Sequence, residues 1–160
     1  MNLSTRVRIF SSLLPALALL AVALAMPAQA HDPRERVRIT SPDNFQTTLK
    51  KLRQSLKSNK MGLVNTANAQ AGAKFLGIDI PGNQVWGVYH PRFAVRMLKA
   101  SVEAGIEAPI RIYITEAKDG KVTVSYIKPS HVFRPYGNAE LNAMAKELDT
   151  IFAKITTAVR

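Results

Sequence analysis

Apolar residues in the second half of the chain alternate or recur at intervals that predict a hairpin followed by a helix. Isoleucine occupies every second position from Ile110 to Ile114, and Asp119-Gly120 separates this run from a second alternating run, Val122 to Tyr126. Alternation on both sides of an Asp-Gly pair is typical of a β-hairpin. From near Asn138 the spacing becomes helical, and one face of the predicted helix carries Leu141, Met144, Leu148, Ile151, Phe152 and Ile155.

Three strands are predicted ahead of the hairpin, at Arg36–Thr40, Met61–Ala67 and Gln84–Tyr89. Each run is short, alternates apolar with other residues and is bounded by residues that favour turns. A short helical turn over residues 69–75 is expected between the second strand and the third.

Two further helices are predicted from apolar residues at helical spacing. The first runs from Phe45 to Leu56, and Ser41-Pro42-Asp43 supplies a capping oxygen and a first-turn proline. The second runs from Pro91 to about Ala104 and stops at Gly105, and its predicted inward residues are Ala94, Met97, Leu98 and Val102. A loop rich in proline and aromatic residues is expected over Pro129–Tyr136.

The order of elements, β-α-β-β-α-β-β-α, predicts an α+β domain. Its mainly antiparallel sheet should have about five strands, with three main helices packed on one face. Arg111 and Tyr113 fall on the face opposite to the isoleucines of the hairpin. If helices leave that face uncovered, it must meet water, a ligand or another subunit. A pairing of two such faces would make a homodimer with a cleft between its subunits.

Residues 1–30 have the order of a cleavable secretory signal. Arg6 and Arg8 precede an apolar run without acidic residues, and the small residues of Pro27-Ala28-Gln29-Ala30 suit a signal peptidase. Cleavage is expected before His31, which leaves a single domain of residues 31–160 in the periplasm or outside the cell. No later stretch is long and apolar enough to cross a bilayer, so no stable membrane span is expected after cleavage.

The chain of 160 residues has 22 Lys and Arg against 11 Asp and Glu, a net charge of +11, and no cysteine. The absence of cysteine excludes disulfides within the chain, thiol catalysis and thiolate metal sites. The basic residues follow one strand and one helix face without interleaved aromatic residues, so nucleic acid is not an expected partner. A solvated helix face with some affinity for anionic surfaces explains them better.

Several short motifs follow one another in a fixed order. They are an amphipathic helix leading into Gly62-Leu63, then Val88-Tyr89-His90-Pro91, Ala108-Pro109-Ile110-Arg111-Ile112, and Asp119-Gly120-Lys121-Val122 with Tyr126 and Pro129 beyond. With them, the chain from Asp43 to about Ile155 resembles the domain of unknown function 302 family. The resemblance implies a compact α+β domain, often a dimer, with no established activity and no catalytic residues to carry over. Where the family commonly has Asn, this chain has His90.

Three histidines raise a metal-handling hypothesis, with copper or zinc as the metal. His90 and His131 would form the site if they met, with Glu103 or Glu107 nearby. His31 would add the amine and the imidazole of a new N-terminus, an arrangement that resembles the histidine brace of exported copper proteins. The structural alternative for His90 is a cap on the helix that follows it.

The leading hypothesis is a non-enzymatic binding or interaction module that acts as a homodimer and holds a small apolar or anionic ligand. Its candidate contact residues come from the strands and the nearby loop, and they are Trp86, Arg111, Tyr113, Arg134 and Tyr136. Metal handling is the second hypothesis. An enzyme of unknown type is the third, because the sequence contains no nucleophile elbow, phosphate-binding glycine loop or His-Glu-x-x-His helix.

Overall fold

An antiparallel sheet frames the protein in the computed structural model, which describes residues 36–160. Each neighbouring pair of strands is antiparallel, and the order across the sheet is β1-β5-β4-β3-β2. The five strands are β1 (Arg36–Ser41), β2 (Gly62–Asn68), β3 (Asn83–Tyr89), β4 (Ile110–Glu116) and β5 (Val122–Ile127). The α+β fold predicted from the alternation of elements is confirmed.

Three long helices pack together, since α1 and α3 both contact α5. Two shorter helices and two 3-10 segments, 103–107 and 134–136, complete the connections. The α-helices are α1 (Phe45–Ser58), α2 (Ala69–Phe75), α3 (Pro91–Ala100), α4 (Pro129–Phe133) and α5 (Ala139–Thr157).

The core lies between these long helices and one face of the sheet. Trp86 of β3 stands opposite Ile112 of β4 in the register, and both side chains are fully buried. From α5, Phe152 is also fully buried, with its ring 5.3 Å from that of Tyr126. Removing such large apolar surfaces from water is the main force that holds helices to a sheet. The predicted apolar face of the last helix is therefore confirmed.

Helix α1 begins at Phe45 as predicted, but its cap does not come from Ser41-Pro42-Asp43. Ser41 is the last residue of β1, and its hydroxyl accepts a hydrogen bond of 2.9 Å from the Thr48 hydroxyl. The cap is Asn44, whose side-chain oxygen accepts a hydrogen bond of 2.9 Å from the Thr47 N–H. Asn, Ser and Asp are about equally favoured as helix caps, so residue preference cannot tell which of these neighbouring residues caps α1.

The prediction for the end of α3 is wrong. The helix ends at Ala100, because Ser101 adopts an extended conformation with φ −161° and ψ 120°. Val102 thereby leaves the helical register, and it is 77 % exposed rather than inward, while Leu98 is 45 % exposed. Ala94 and Met97 are buried as predicted. Gly105 is not a left-handed cap, and it lies inside the 3-10 segment 103–107.

The segment predicted as a loop, 129–136, is helical instead. Pro129 and Pro135 each stand at the start of a short helical piece, α4 or the 3-10 segment 134–136. Proline is tolerated there because the first N–H groups of a helix have no intrahelical acceptor. Gly137 then turns the chain in the left-handed conformation, with φ 62°.

The predicted signal peptide, residues 1–30, and its cleavage site lie outside the described residues. Within residues 36–160 no helix combines the length and the apolar character that crossing a membrane requires.

Candidate functional site

One face of the sheet points away from the long helices, and its side chains are those of the alternate positions in each strand. Val85 of β3 pairs with Tyr113 of β4, which pairs with Ser125 of β5. Ser125 in turn pairs with Arg38 of β1. Because successive side chains of a strand point to opposite faces, these four residues share the face opposite to the core. We call this surface the open face.

A cleft of about 250 Å³ lies on the open face where β4 and β5 meet the end of the 3-10 segment 103–107 and helix α4. Six of its ten lining residues are apolar or aromatic, and two arginines and one carboxylate are among the others. The lining residues are Arg36, Val85, Glu107, Ile110, Arg111, Tyr113, Ser125, Tyr126, Ile127 and Val132.

The charges of the cleft are unequal, because Arg36 and Arg111 face a single acid, Glu107. That carboxylate accepts a hydrogen bond of 3.0 Å from the hydroxyl of Tyr136. Within residues 36–160, no carboxylate forms an ion pair with Arg111 and no hydrogen bond engages its guanidinium. A guanidinium presents five N–H donors, so Arg111 keeps its full capacity to bind an anion.

Tyr136 lies at the edge of this cleft rather than in its lining. Desolvation raises the pKa of its phenol, and the hydrogen bond to Glu107 together with the charges of Glu107 and Glu103 raises that pKa further. The phenol therefore stays protonated at neutral pH and serves as a permanent donor to Glu107. Its ring also contacts that of Phe133, with 6.5 Å between the ring centroids.

Tyr113 stands in the cleft, and 37 % of its surface is exposed. The side-chain amide of Asn83 donates a hydrogen bond of 2.9 Å to its hydroxyl. This bond joins β3 to β4 across the open face and restrains the ring, so that the phenol presents a flat apolar surface beside Arg111. A restrained aromatic ring loses little conformational entropy when a ligand contacts it.

Gly87 pairs with Arg111 in the register of β3 and β4. Because Gly87 has no side chain, Asn65 and Pro109 can pack directly against its backbone. A Cβ atom at position 87 would collide with the side chain of Asn65 and would stand 2.8 Å from the Cγ atom of Pro109. Glycine is thus required for the close approach of these two residues. They form the boundary of the open face on the side of β2.

Trp86, predicted as a contact residue, is fully buried on the opposite side of the sheet. Its indole N–H donates a hydrogen bond of 2.8 Å to the Gln84 side-chain oxygen. The guanidinium of Arg53, on α1, lies 4.5 Å from the ring centroid. Trp86 therefore belongs to the core beneath α1 and does not line the cleft.

Arg134 lies in a second depression, separate from the cleft. This groove of about 280 Å³ lies between α4 and α5, and its lining residues are Ser130, His131, Arg134, Asn142 and Lys146. A carboxylate is close to it, because Asp149 accepts a hydrogen bond of 2.9 Å from the Ser130 N–H. Of the predicted contact residues, Arg111 and Tyr113 thus share one depression and Arg134 lines another.

His90 is the N-terminal cap of α3, as the structural alternative predicts. Its Nδ1 atom accepts a hydrogen bond of 3.1 Å from the Arg92 N–H, and its ring contacts Phe93 at 6.0 Å. His131 lines the groove beside α5, and His31 lies outside the described residues. Over residues 36–160 no group of three or more His, Cys, Asp and Glu side chains is placed to hold a metal ion.

Several lining residues of the cleft were not predicted as contacts. Val85, Ser125 and Ile127 have the same alternation phase as Arg111 and Tyr113, so the open face could have been extended to them from the sequence. Glu107 and Val132 come from the two connections beside the sheet. No periodicity indicates where such connections pack, so the sequence carried no signal for their place in the cleft.

The comparisons with known proteins agree on the fold. The sequence model of the family described as "Domain of unknown function DUF302" matches residues 37–159. The crystal structure of an uncharacterized conserved DUF302 protein from Bacillus stearothermophilus is similar, with a TM-score of 0.70 and 17 % sequence identity. That similarity covers 78 % of this chain and 98 % of the other. At such identity the likeness shows the fold alone. No curated protein matches this chain.

Proposed function

This chain belongs to the family of the domain of unknown function DUF302, and we propose that it is a ligand-binding module that holds a small anionic ligand with an apolar body on its open face. The cleft lined by Arg111 and Tyr113 is the binding site. The ligand's charged group binds to the guanidinium, and its apolar part lies on the aliphatic and aromatic walls.

The observation that carries this proposal is the state of Arg111. Its guanidinium has no ion-pair or hydrogen-bond partner within residues 36–160, although it lines a concave surface together with six apolar or aromatic residues. A guanidinium binds carboxylate and phosphate groups through two parallel hydrogen bonds. Binding sites for small molecules typically combine apolar walls with a few polar groups that fix orientation. The cleft has both features.

The lining favours binding over catalysis. Ser125 is the sole serine among the lining residues, and no histidine, lysine or aspartate lines the cleft with it. Activation of a hydroxyl nucleophile requires a base within hydrogen-bond reach. Glu107, the one carboxylate of the lining, is engaged by the Tyr136 hydroxyl at 3.0 Å.

Isothermal titration calorimetry with two probes, decanoate and decanol, tests the proposal. The probes share an apolar chain and differ in charge, so only decanoate can form an ion pair with Arg111. We expect decanoate to bind the wild-type protein more tightly than decanol does. Replacing Arg111 by Met should weaken decanoate binding by about 10-fold to 100-fold and leave decanol binding nearly unchanged.

Lys99→Met is the matched control. It removes one positive charge from α3, on the other side of the sheet, at an exposed residue that forms no ion pair within residues 36–160. Decanoate binding should be unchanged in this variant. Equal losses in Arg111→Met and Lys99→Met would mean that net charge, and not the cleft, attracts the probe. Failure of decanoate to bind the wild-type protein at millimolar concentration would also contradict the proposal.

We propose further that the protein acts in the periplasm or outside the cell, as a homodimer. The charge and apolar pattern of residues 1–30 supports export. Mass spectrometry of the intact protein from a cell-envelope fraction tests this directly, and a chain that begins at His31 is the expected result. An intact Met1 on protein from the cytoplasmic fraction would contradict export.

A further inference from the structure

The segment 62–78, which consists of β2, α2 and the turn after them, is mostly exposed. We call it the β2–α2 arm. No residue of the arm is buried, and α2 contributes none to the core. It is attached to the rest of the protein by the pairing of β2 with β3, by contacts of α2 with β3 and of β2 with α1, and by Leu63, which packs against the core.

Large apolar side chains are exposed on this arm. Phe75 is 91 % exposed, Leu76 72 %, and Val64 and Ile78 each 54 %. Single exposed apolar residues are normal on protein surfaces, but three within four consecutive residues form a patch. Such patches usually mark a surface that another molecule covers.

The distribution of charge around the patch favours a second copy of this chain as the molecule that covers it. The chain has a net charge of +11, so two copies repel each other over most of their surfaces. Residues 61–73 contain no charged residue; Lys60 precedes them, and Lys74 and Asp79, which have opposite signs, follow. Two copies of the chain can therefore approach each other along this segment with little repulsion.

The exposed edge of β2 is a second feature that suits pairing with another copy of the chain. β2 is the last strand in the sheet order, so its outer N–H and C=O groups have no neighbouring strand within the described residues. An irregularity between Leu63 and Asn65 interrupts the ladder, and residues 65–68 beyond it are regular, neutral and free of proline. Lysine, proline and bulges are the usual protections of an edge strand, and this part of β2 has none of them.

We propose that the β2–α2 arm is the interface at which a second copy of this chain binds. Residues 66–68 pair antiparallel with the same residues of the second copy, so that Ala67 faces its own counterpart at a two-fold axis and the sheet continues across it. Phe75 and Leu76 pack against the partner's arm. A strand that pairs with itself about such an axis is self-complementary, as a two-fold interface requires. This inference rests on the proposed homodimer and names its interface, whereas ligand binding in the cleft does not depend on it.

A lipid surface is a poorer occupant of the same patch. Hydrocarbon offers no partners to the free backbone groups of β2, which a second strand would satisfy. Binding to anionic lipid also relies on clustered cations, and Lys74 is the one cation between residues 61 and 78.

A second apolar patch, on α3 and the 3-10 segment after it, is less suited to pairing of two copies. It consists of Val95, Leu98, Val102 and Ile106. The cations Arg92 and Lys99 of α3 lie beside these residues in the sequence, whereas Arg96 between them is paired with Glu147. In a two-fold interface Arg92 and Lys99 would each face a positive counterpart or a neighbour of the same sign. This patch therefore provides the control position.

Sedimentation equilibrium of the purified protein tests the interface. We expect a mass twice that of the single chain at micromolar concentration. Phe75→Asp and Leu76→Asp place two like charges in the proposed contact and should each raise the dimer dissociation constant at least 100-fold. Val102→Asp, on the α3 patch, should leave it unchanged. All three positions are exposed, so the fluorescence of the buried Trp86 should stay the same in each variant.

Cross-linking gives a second readout that does not depend on affinity. The chain has no cysteine, so Ala67→Cys introduces a single thiol into the proposed strand pair. Mild oxidation should convert most of this variant to a disulfide-linked dimer, because paired strands bring the two Cα atoms within reach of a disulfide. Ile106→Cys should form no disulfide-linked dimer under the same oxidation.

Three results would overturn the interface. The first is a monomer at 100 µM, on the order of the concentration where weak dimers form. The second is a dimer that Val102→Asp dissociates and that Phe75→Asp and Leu76→Asp leave intact. The third is binding of the protein to phosphatidylglycerol vesicles that Phe75→Asp abolishes. In none of these cases would the binding of decanoate by the cleft be affected. The two proposals can therefore fail separately.

Discussion

The ring of Phe45 lies so close to Gly82 that a Cβ atom at position 82 would stand 2.6 Å from the Cγ atom of the ring. Phe45 is 3 % exposed and begins α1, so its ring has no room to retreat. We therefore expect Gly82→Ala to lower the free energy of unfolding by about 1–3 kcal/mol, the usual effect of overpacking. Urea denaturation followed by Trp86 fluorescence measures the change.

Gly72→Ala is the matched control for that substitution. Gly72 lies inside α2, and a Cβ atom there would contact nothing within 4 Å. Alanine favours a helix over glycine, so this variant should be as stable as the wild type or more stable by about 0.5 kcal/mol. A loss of stability in both variants would show that the contact with Phe45 is not the cause.

Lys60, which follows the C-terminal cap Asn59 of α1, has a conformation that glycine adopts more readily. Its φ angle is 57°, and the Met61 N–H donates a hydrogen bond of 2.9 Å to the Leu56 carbonyl, which closes the last turn. The left-handed conformation costs a residue with a Cβ atom about 1–2 kcal/mol. Lys60→Gly should therefore raise the free energy of unfolding by about 1 kcal/mol after the greater entropy of unfolded glycine is subtracted. Lys60→Ala should give no such gain, and an equal gain in both variants would point to charge.

His90 stabilises α3 through the hydrogen bond that its Nδ1 atom accepts from the Arg92 N–H. Truncation to alanine removes the acceptor, so His90→Ala should lose about 0.5–2 kcal/mol of stability. Asparagine is a favoured cap, and His90→Asn should retain the wild-type stability. Thermal denaturation of the three proteins at pH 8 compares them. A stable His90→Ala protein that no longer binds a divalent metal would instead favour the metal-handling hypothesis.

Arg96 of α3 and Glu147 of α5 form two hydrogen bonds of 2.7 Å each. These bonds, and the charge of Arg96, lower the pKa of Glu147 below its ordinary value of 4.5. A carboxyl with a lowered pKa in the folded state stabilises the protein above its unfolded pKa, and the effect is lost as the pH falls through the lowered pKa.

Glu147→Gln tests this pH dependence. The wild type should be the more stable protein at pH 7, and its advantage should shrink as the pH falls below 4.5. Urea denaturation at pH 7 and at several values from pH 5 downward gives the two curves. Because both side chains are largely exposed, added salt should reduce the advantage at pH 7. A difference between the two proteins that does not vary with pH would exclude the ion pair as its source.

The strongest local patterns were sufficient to predict the corresponding elements. The Asp119-Gly120 hairpin forms as β4 and β5, and Gly120 has the positive φ of 82° that the turn needs. Helix α5 forms with the predicted apolar face inward. In both cases residues that are neighbours in the pattern are also neighbours in space, so one face can be assigned without the rest of the fold.

Predictions failed where the chain leaves one element for the next. Apolar residues such as Val102 continue the helical spacing beyond Ala100, so the pattern predicts a longer helix than α3, which ends before Ser101. The Pro129–Tyr136 segment forms helices, since proline is compatible with a first helical turn. Composition does not separate a loop from such short helices, and packing against α5 decides between them.

The sequence by itself determined the α+β class and the apolar faces of the longest elements, and it placed Arg111 and Tyr113 together on the face opposite to the core. These properties follow from the periods of strands and helices, which depend on nearby residues. Only the tertiary structure brought Glu107 and Val132 to that face to complete the cleft, and it separated Arg134 from it. Connections between elements take their positions from packing across distant parts of the chain, and no local pattern records that packing.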